Sequence, residues 1–230
     1  DIEILNNLKK LEHIIIPTGG IEGVSIEELL KKRIKIYHNP SITSKGVADY
    51  VTHNLGNILG SDMAEVMNRA TIGLLGFGNV GKEIYESLKR YRCSFEAFTR
   101  KTDPHFEINS RKGTSGLLNL LSNSDVIINT LPLNKGTRGL LYEKNSQIKR
   151  GALIVSVSRS GIIDDHAVLE DTIRGYLTGA ILDVYSDDIN PDDYNNKNII
   201  LTPYIAGIYG MALGDLVQFI KKSIDVASRG

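Results

Sequence analysis

Short apolar runs recur along this chain, among them HIII, IKIY, TIGLL, VIIN, LIVSV, GAIL and NIIL, and most run into glycine, proline or a small polar residue. Between them lie segments whose apolar residues return at helical spacing, as Val47, Tyr50, Val51, Leu55 and Ile58 do within 44–60. The first pattern is that of buried strands and the second that of amphipathic helices. From Thr71 onward the two alternate, which predicts strands at 71–75, 94–98, 125–129, 152–157, 178–183 and 199–202 and helices at 79–91, 114–122, 143–149 and 164–174. Such alternation implies an α/β fold with a parallel, doubly wound sheet. Before Thr71 the pattern predicts a helix within 3–12 and a strand from His13 to Pro17, stopped by Thr18-Gly19-Gly20. Ser25 followed by Glu28 has the spacing of a capping box, and the helix it opens runs to the basic Lys31, Lys32 and Arg33, where cations suit a helix C-terminus. A strand from Ile34 to Tyr37 ends at Asn39-Pro40, and the 44–60 helix bridges to the alternating region.

The bridge leads into TIGLLGFGNVGKE, residues 71–83, where a strand breaks into Gly76, Gly78 and Gly81 and resumes as a helix. Gly76 permits a sharp turn, Gly78 removes a side chain that would hold a pyrophosphate off the backbone, and Gly81 lets helix and strand lie close. The free N–H groups and positive dipole end of the helix complete an anion site without a lysine, which points to a dinucleotide. In open parallel sheets ligands bind beyond the carboxyl ends of the strands. That places the chemistry within Gly76–Gly81, Thr99–Lys101, Leu131–Asn134, Ser158–Gly161, Asp183–Asp188 and Pro203–Gly207.

Composition narrows the partner. Lysine plus arginine and aspartate plus glutamate balance at 27 each, so no net field draws nucleic acid or an anionic membrane, and a small molecule is expected. The single cysteine, Cys93, excludes an internal disulfide, and neither a signal-like start nor a bilayer-length apolar run is present, which points to the cytoplasm. No spacing of metal ligands stands out.

The motifs GLLGFGNVGKEI, SDVIINTLPLNKGTRGLL, KRGALIVSVSRSGIIDDHAVLE, GYLTGAILDVY and NIILTPYIAG occur in the order seen in the D-isomer-specific 2-hydroxyacid dehydrogenases, a family that includes phosphoglycerate, glycerate and glyoxylate/hydroxypyruvate enzymes, and cover most of 71–207. Upstream, PTGGIEGVS, KKRIKIYHNP and VADY resemble that family's substrate-domain loop, strand and hinge. The resemblance implies a Rossmann cofactor domain, residues 56–209, inserted in a smaller, truncated α/β substrate domain made of 1–55 plus 210–230, with the active site in the cleft. It also implies a homodimer formed largely through the cofactor lobe, and hydride transfer between a nicotinamide cofactor and a small 2-oxo or 2-hydroxy acid.

Arg159 follows the buried run LIVSVS, and its planar fork suits bidentate capture of a 2-oxo acid. The resemblance gives Gly19 and Gly20 backbone donors to the same carboxylate, and Asp183 a hydrogen bond from the nicotinamide carboxamide. Asn79, Val80, Leu131, Pro132, Thr137 and Val157 join the glycines as candidate cofactor contacts. Two positions depart from the family pattern. The catalytic acid, normally glutamate before proline, falls on Asp188 with Ile189 after it and Asp187 as a neighbouring candidate, while the catalytic histidine falls on Tyr204. None of the five histidines, His13, His38, His53, His105 and His166, lies in a motif that replaces it.

An acidic residue about 20 positions after the glycine loop normally accepts the ribose hydroxyls of NAD. Thr99, Arg100 and Lys101 stand there instead, a set that tolerates a 2′-phosphate, so NADP is expected in preference to NAD. The leading expectation is an NAD(P)-dependent reductase in which Tyr204 or water supplies the proton. The rival is a dinucleotide-binding sensor or structural homologue without turnover; a methyltransferase with a similar loop leaves Arg159, Asp183 and TPYIAG unexplained. Few strands precede the glycine loop compared with family members, so further segments are expected before Asp1 and near Gly60–Ala70.

Overall fold

A computed structural model spans residues 1–230 and describes all of them except 1–4, 6, 22, 23, 101, 102, 143, 145, 146, 211, 212 and 230, with Leu213 described by its backbone alone. In chain order the elements are β1 (His13–Ile16), α1 (Ile26–Lys31), β2 (Lys35–His38), α2 (Ser44–Leu59), α3 (Met63–Arg69), β3 (Thr71–Leu75), α4 (Asn79–Leu88), β4 (Ser94–Phe98), β5 (Asn109–Arg111), α5 (Gly113–Asn123), β6 (Val126–Asn129), β7 (Leu153–Ser156), α6 (Asp165–Ile173), β8 (Gly179–Leu182), β9 (Ile199–Leu201) and α7 (Leu213–Ala227).

The large sheet has seven strands in the order β5-β4-β3-β6-β7-β8-β9, all pairs parallel. Its residues alternate between two cores, as helix-covered parallel strands require. Ile72, Leu74, Ile128, Val155 and Ile181 face one side, with Val51 and Leu55 of α2 and Ile84 and Leu88 of α4. Leu75, Ile127, Ile154 and Leu182 face the other, with Leu117 and Leu121 of α5 and Leu169 of α6. Each such side chain, fully buried, contributes roughly 1.5–3 kcal/mol before entropy is subtracted. Strand order reverses between β3 and β6, so the crevice of the doubly wound sheet opens where the glycine loop and the loop after β6 emerge.

A second, two-stranded parallel sheet pairs β1 with β2, Ile14 opposite Ile36. It packs on Leu29 of α1 and Ile34, and α7 lies against β1.

Three local expectations need correction. The helix expected over 143–149 falls partly outside the described residues; within them, Lys144 lies in a turn, Gln147 in 3-10 conformation and Ile148 in a bend, and none is α-helical. Of the helix expected within 3–12, Leu5 and Asn7 are helical while Leu8–Glu12 are not. Ser25 does precede α1, but its side chain makes no capping bond, and Glu28 instead holds Lys31 at 2.6 Å. The stretch 60–69 passes through a 3-10 turn at Gly60–Asp62 into α3.

Candidate active site

The glycine loop has the geometry a pyrophosphate needs. Gly76 turns the chain at φ +96°, a conformation closed to most side chains, and its N–H bonds to the Phe98 carbonyl at 3.0 Å. A Cβ at Gly81 would sit 2.7 Å from the Gly76 carbonyl, so α4 could not otherwise lie this close to β3. At Gly78 a Cβ would meet nothing within 4 Å, which leaves open space in front of the α4 N-terminus. Gly78 caps that helix without a side-chain hydrogen bond, so the first-turn N–H groups, Asn79 and Val80 included, are not claimed by a capping side chain. This cradle fits a nicotinamide dinucleotide.

Thr99 and Arg100 follow directly on Phe98 at the end of β4; Thr99 is half-buried, Arg100 is exposed, and Lys101 lies outside the described residues. Among the described residues no acidic side chain occupies the end of β4. Glu96 is buried within the strand and held by Arg111 of β5 through Nε at 3.1 Å and Nη2 at 2.6 Å. Beside the loop, Phe77, Tyr85 and Phe106 pack edge to face, and Lys82 lies over the Phe106 ring while pairing with Asp103 at 2.6 Å. That ion pair lowers the Asp103 carboxyl below its usual range. Apolar alternation did not single out this aromatic wall, whose members come from separate segments.

Across the crevice, the loops after β6 and β7 are tied together. Asn129 Nδ2 donates to Ser156 Oγ at 3.2 Å, Ser158 Oγ donates to the Leu131 carbonyl, and Thr137 Oγ1 donates to the Pro132 carbonyl at 2.6 Å. Val157 is buried behind them. Arg159 comes next in the chain, its Nη1 donating to the Ser158 carbonyl at 2.9 Å and its guanidinium carbon 5.2 Å from the centroid of the Tyr204 ring.

Asp183 is only 1% exposed and accepts three hydrogen bonds, from Thr202 Oγ1 at 2.6 Å and Ile205 N at 2.8 Å on Oδ1, and from Ala206 N at 2.9 Å on Oδ2. Its backbone carbonyl also accepts from Tyr204 N at 2.9 Å. The aspartate thus braces the turn that carries Tyr204. Tyr50 of α2 extends the chain of bonds, its hydroxyl 2.6 Å from Thr202 Oγ1. Because that threonine donates to Asp183, Tyr50 must be the donor to it. Burial pushes the Tyr50 phenol up to about 12, so it stays protonated.

Asp188 is drawn elsewhere. Its Oδ2 lies 3.1 Å from His166 Nε2 in the first turn of α6, with side chains 74% and 48% exposed, while Asp187 is exposed. The neighbouring Asp165 is buried and joins two site loops, accepting from Ser160 Oγ at 3.0 Å and Ser186 N at 3.0 Å. Burial raises its carboxyl above the ordinary range despite those bonds. Among the described residues no cluster of His, Cys, Asp or Glu could hold a metal, and no helix is long and apolar enough to cross a membrane.

The Thr18-Gly19-Gly20 loop reaches this region through α2. A Cβ at Gly19 would lie 2.6 Å from Thr43 Oγ1, and one at Gly207 would lie 3.7 Å from the Thr43 methyl, so a single threonine separates the loop from the turn after Tyr204.

The chain is similar to a glyoxylate reductase of Thermococcus litoralis, 24% identical over 257 residues, which cover 100% of this chain and 78% of that protein. It is 28% identical over 262 residues to a D-specific alpha-keto acid dehydrogenase of Enterococcus faecium, covering 98% of this chain and 80% of that one. The fold superposes on the crystal structure of a D-lactate dehydrogenase from Aquifex aeolicus complexed with NAD and lactic acid, with a TM-score of 0.81 at 20% identity, over 100% of this chain and 80% of that one. Residues 51–206, more than half of the chain, match the model of the D-isomer specific 2-hydroxyacid dehydrogenase NAD binding domain, and the chain belongs to that family.

Proposed function

We propose that this protein reduces small 2-oxo acids with a nicotinamide cofactor, with NADPH bound more tightly than NADH. The observation that carries the reading is the stacking of Arg159 on Tyr204, which sets a carboxylate-capturing fork beside a phenol at the mouth of the crevice. The bound reduced nicotinamide would supply the hydride. Arg159 grips the substrate carboxylate and carbonyl oxygen through parallel N–H bonds, and the Gly19 and Gly20 amides hold the same carboxylate from the opposite lobe. Tyr204 gives its proton to the carbonyl oxygen as negative charge develops there. A phenol hydroxyl is a proton donor and a poor base, so reduction outruns alcohol oxidation.

Residues 1–55 with 210–230 serve as the substrate lobe and 56–209 as the cofactor lobe; the packing of α7 on β1 supports joining the two termini. The burial of Val47, Val51 and Leu55 in the same core as β3 supports α2 as the connecting hinge. The exposed Arg100 at the end of β4 supports the preference for a 2′-phosphate. The working protein is a cytoplasmic homodimer in this reading.

One observation favours the rival, a dinucleotide-binding sensor or structural homologue: Asp188 pairs with His166 and not with Tyr204. Turnover of glyoxylate, hydroxypyruvate and phenylpyruvate with each cofactor, together with competitive titration of NADH and NADPH, separates the two. Cofactor binding with no turnover of any acid establishes the sensor, and tighter NADH binding removes the phosphate preference.

A further inference from the structure

The Thr18-Gly19-Gly20 loop is held by a histidine that the site described above does not use. His38 closes β2, and its Nε2 lies 2.9 Å from the Thr18 carbonyl and 3.2 Å from the Gly19 carbonyl. Both partners are acceptors only, so Nε2 carries the proton and donates to the two oxygens at once. The third carbonyl of the loop, that of Gly20, accepts from Thr18 Oγ1 at 2.9 Å.

The consequence lies on the other side of the chain. These peptide bonds are trans, and in a trans peptide the N–H points opposite to the carbonyl of the same plane. Turning the Thr18 and Gly19 carbonyls toward His38 therefore turns the next two amides, those of Gly19 and Gly20, away from it onto one face. Among the described residues neither amide is taken up by a hydrogen bond, although every carbonyl of the loop is satisfied. Two successive free amides on one face form an anion-binding concavity. Gly19 lies close to the N-cap of α2, where a Cβ on it would sit 2.6 Å from Thr43 Oγ1.

We propose that His38 is a positioning residue that locks the Gly19 and Gly20 amides into a receptor for the carboxylate of the 2-oxo acid. This rests on the reductase reading and adds to it a residue that never touches substrate. Without the imidazole the two peptide planes are free to flip, the amides lose their common face, and the cost falls on carboxylate binding and not on the nicotinamide side.

The test uses the full chain saturated with NADP+, with oxalate as the carboxylate probe, alongside glyoxylate turnover with NADPH. His38→Ala should raise the oxalate Kd and the glyoxylate KM about tenfold, the size expected for loss of charge-assisted hydrogen bonds, while leaving kcat and NADPH affinity nearly unchanged. His38→Gln, whose amide nitrogen reaches about as far as Nε2, should restore most of the loss. In the wild type the Gly19 and Gly20 amide NMR resonances should shift on oxalate addition, a readout that needs no variant to fold. If the wild type turns over and binds oxalate but these resonances stay fixed, or His38→Ala binds oxalate equally well, the role of His38 is overturned and the reductase reading survives. A wild type that neither turns over nor binds oxalate overturns both.

Discussion

Arg159 lies over the ring of Tyr204: the guanidinium carbon is 5.2 Å from the phenol ring centroid, and Tyr204 achieves this from a left-handed backbone at φ 59°. A non-glycine residue held there costs ~1–3 kcal/mol, which must be offset by its surroundings. The offset is visible in the bonds from Tyr204 N to the Asp183 carbonyl at 2.9 Å and to the Thr202 carbonyl at 3.0 Å. Tyr204 is held in this conformation while 60% exposed.

If Tyr204 is the proton donor, Tyr204→Phe keeps the stacking and loses only the hydroxyl. A positioned general acid contributes roughly 10²–10⁴ in rate, so the phenylalanine variant should reduce 2-oxo acids at least tenfold more slowly with KM little changed. Tyr204→His should raise the rate. Equal turnover by wild type and Tyr204→Phe would show that the tyrosine is not the acid.

Gly78 and Gly81 should fail in different ways. A Cβ at Gly78 meets nothing within 4 Å in the protein, so Gly78→Ala should leave the melting temperature alone and weaken dinucleotide binding about tenfold, because the methyl enters the space of the phosphates. At Gly81 the methyl would press on the Gly76 carbonyl at 2.7 Å, so Gly81→Ala should lower both the melting temperature and cofactor affinity. Thermal melts and NADPH titrations of the two variants check the contrast; a Gly81→Ala protein as stable as wild type would contradict the close packing.

These residues also mark what the sequence made legible. The strand at 71–75 and the role of each loop glycine were readable because apolar period and glycine spacing are local signals, and the structure gives each glycine its own physical reason. β5 was missed because Asn109-Ser110-Arg111 is too short and polar to show a period, and exists as a strand only through its pairing with β4. The bond from Tyr50 to Thr202 joins residues 152 positions apart, and Asp188 pairs with a histidine 22 positions earlier in the chain, His166. Neither contact has a local signature, since both arise from how loops at the strand ends fold back over the sheet.

Asp183 should behave as a structural brace before anything else. Three donors converge on its carboxylate, and Asp183→Asn would turn one acceptor into a donor facing either Ala206 N or the Thr202 and Ile205 pair. A buried donor left without an acceptor costs about 1–3 kcal/mol, so the urea midpoint should drop and Tyr204 should lose its place. Tyr50→Phe removes only the outer bond of the chain and should cost about 1 kcal/mol. An Asp183→Asn protein with unchanged midpoint but weakened cofactor binding would mean the carboxylate serves the ligand alone.

Cys93 offers a pH test independent of catalysis. Its thiol donates to the Leu88 carbonyl at 3.6 Å, and burial pushes it up from 9.0 to about 11. The folded value lies above the unfolded one, so between pH 9.0 and about 11 the unfolded chain has released a proton that the native chain still holds. Stability must therefore fall as pH rises through that window and stop responding to this group above it. Cys93→Ser, whose hydroxyl does not titrate there, should flatten the decline. The same shift makes the native thiol a poor nucleophile, because only the thiolate reacts. A disulfide reagent at about pH 8 should label the native protein at least about tenfold more slowly than the urea-unfolded chain. Equal labelling rates in the two states would place Cys93 in water, and the alkaline decline of stability would then need another titrating group.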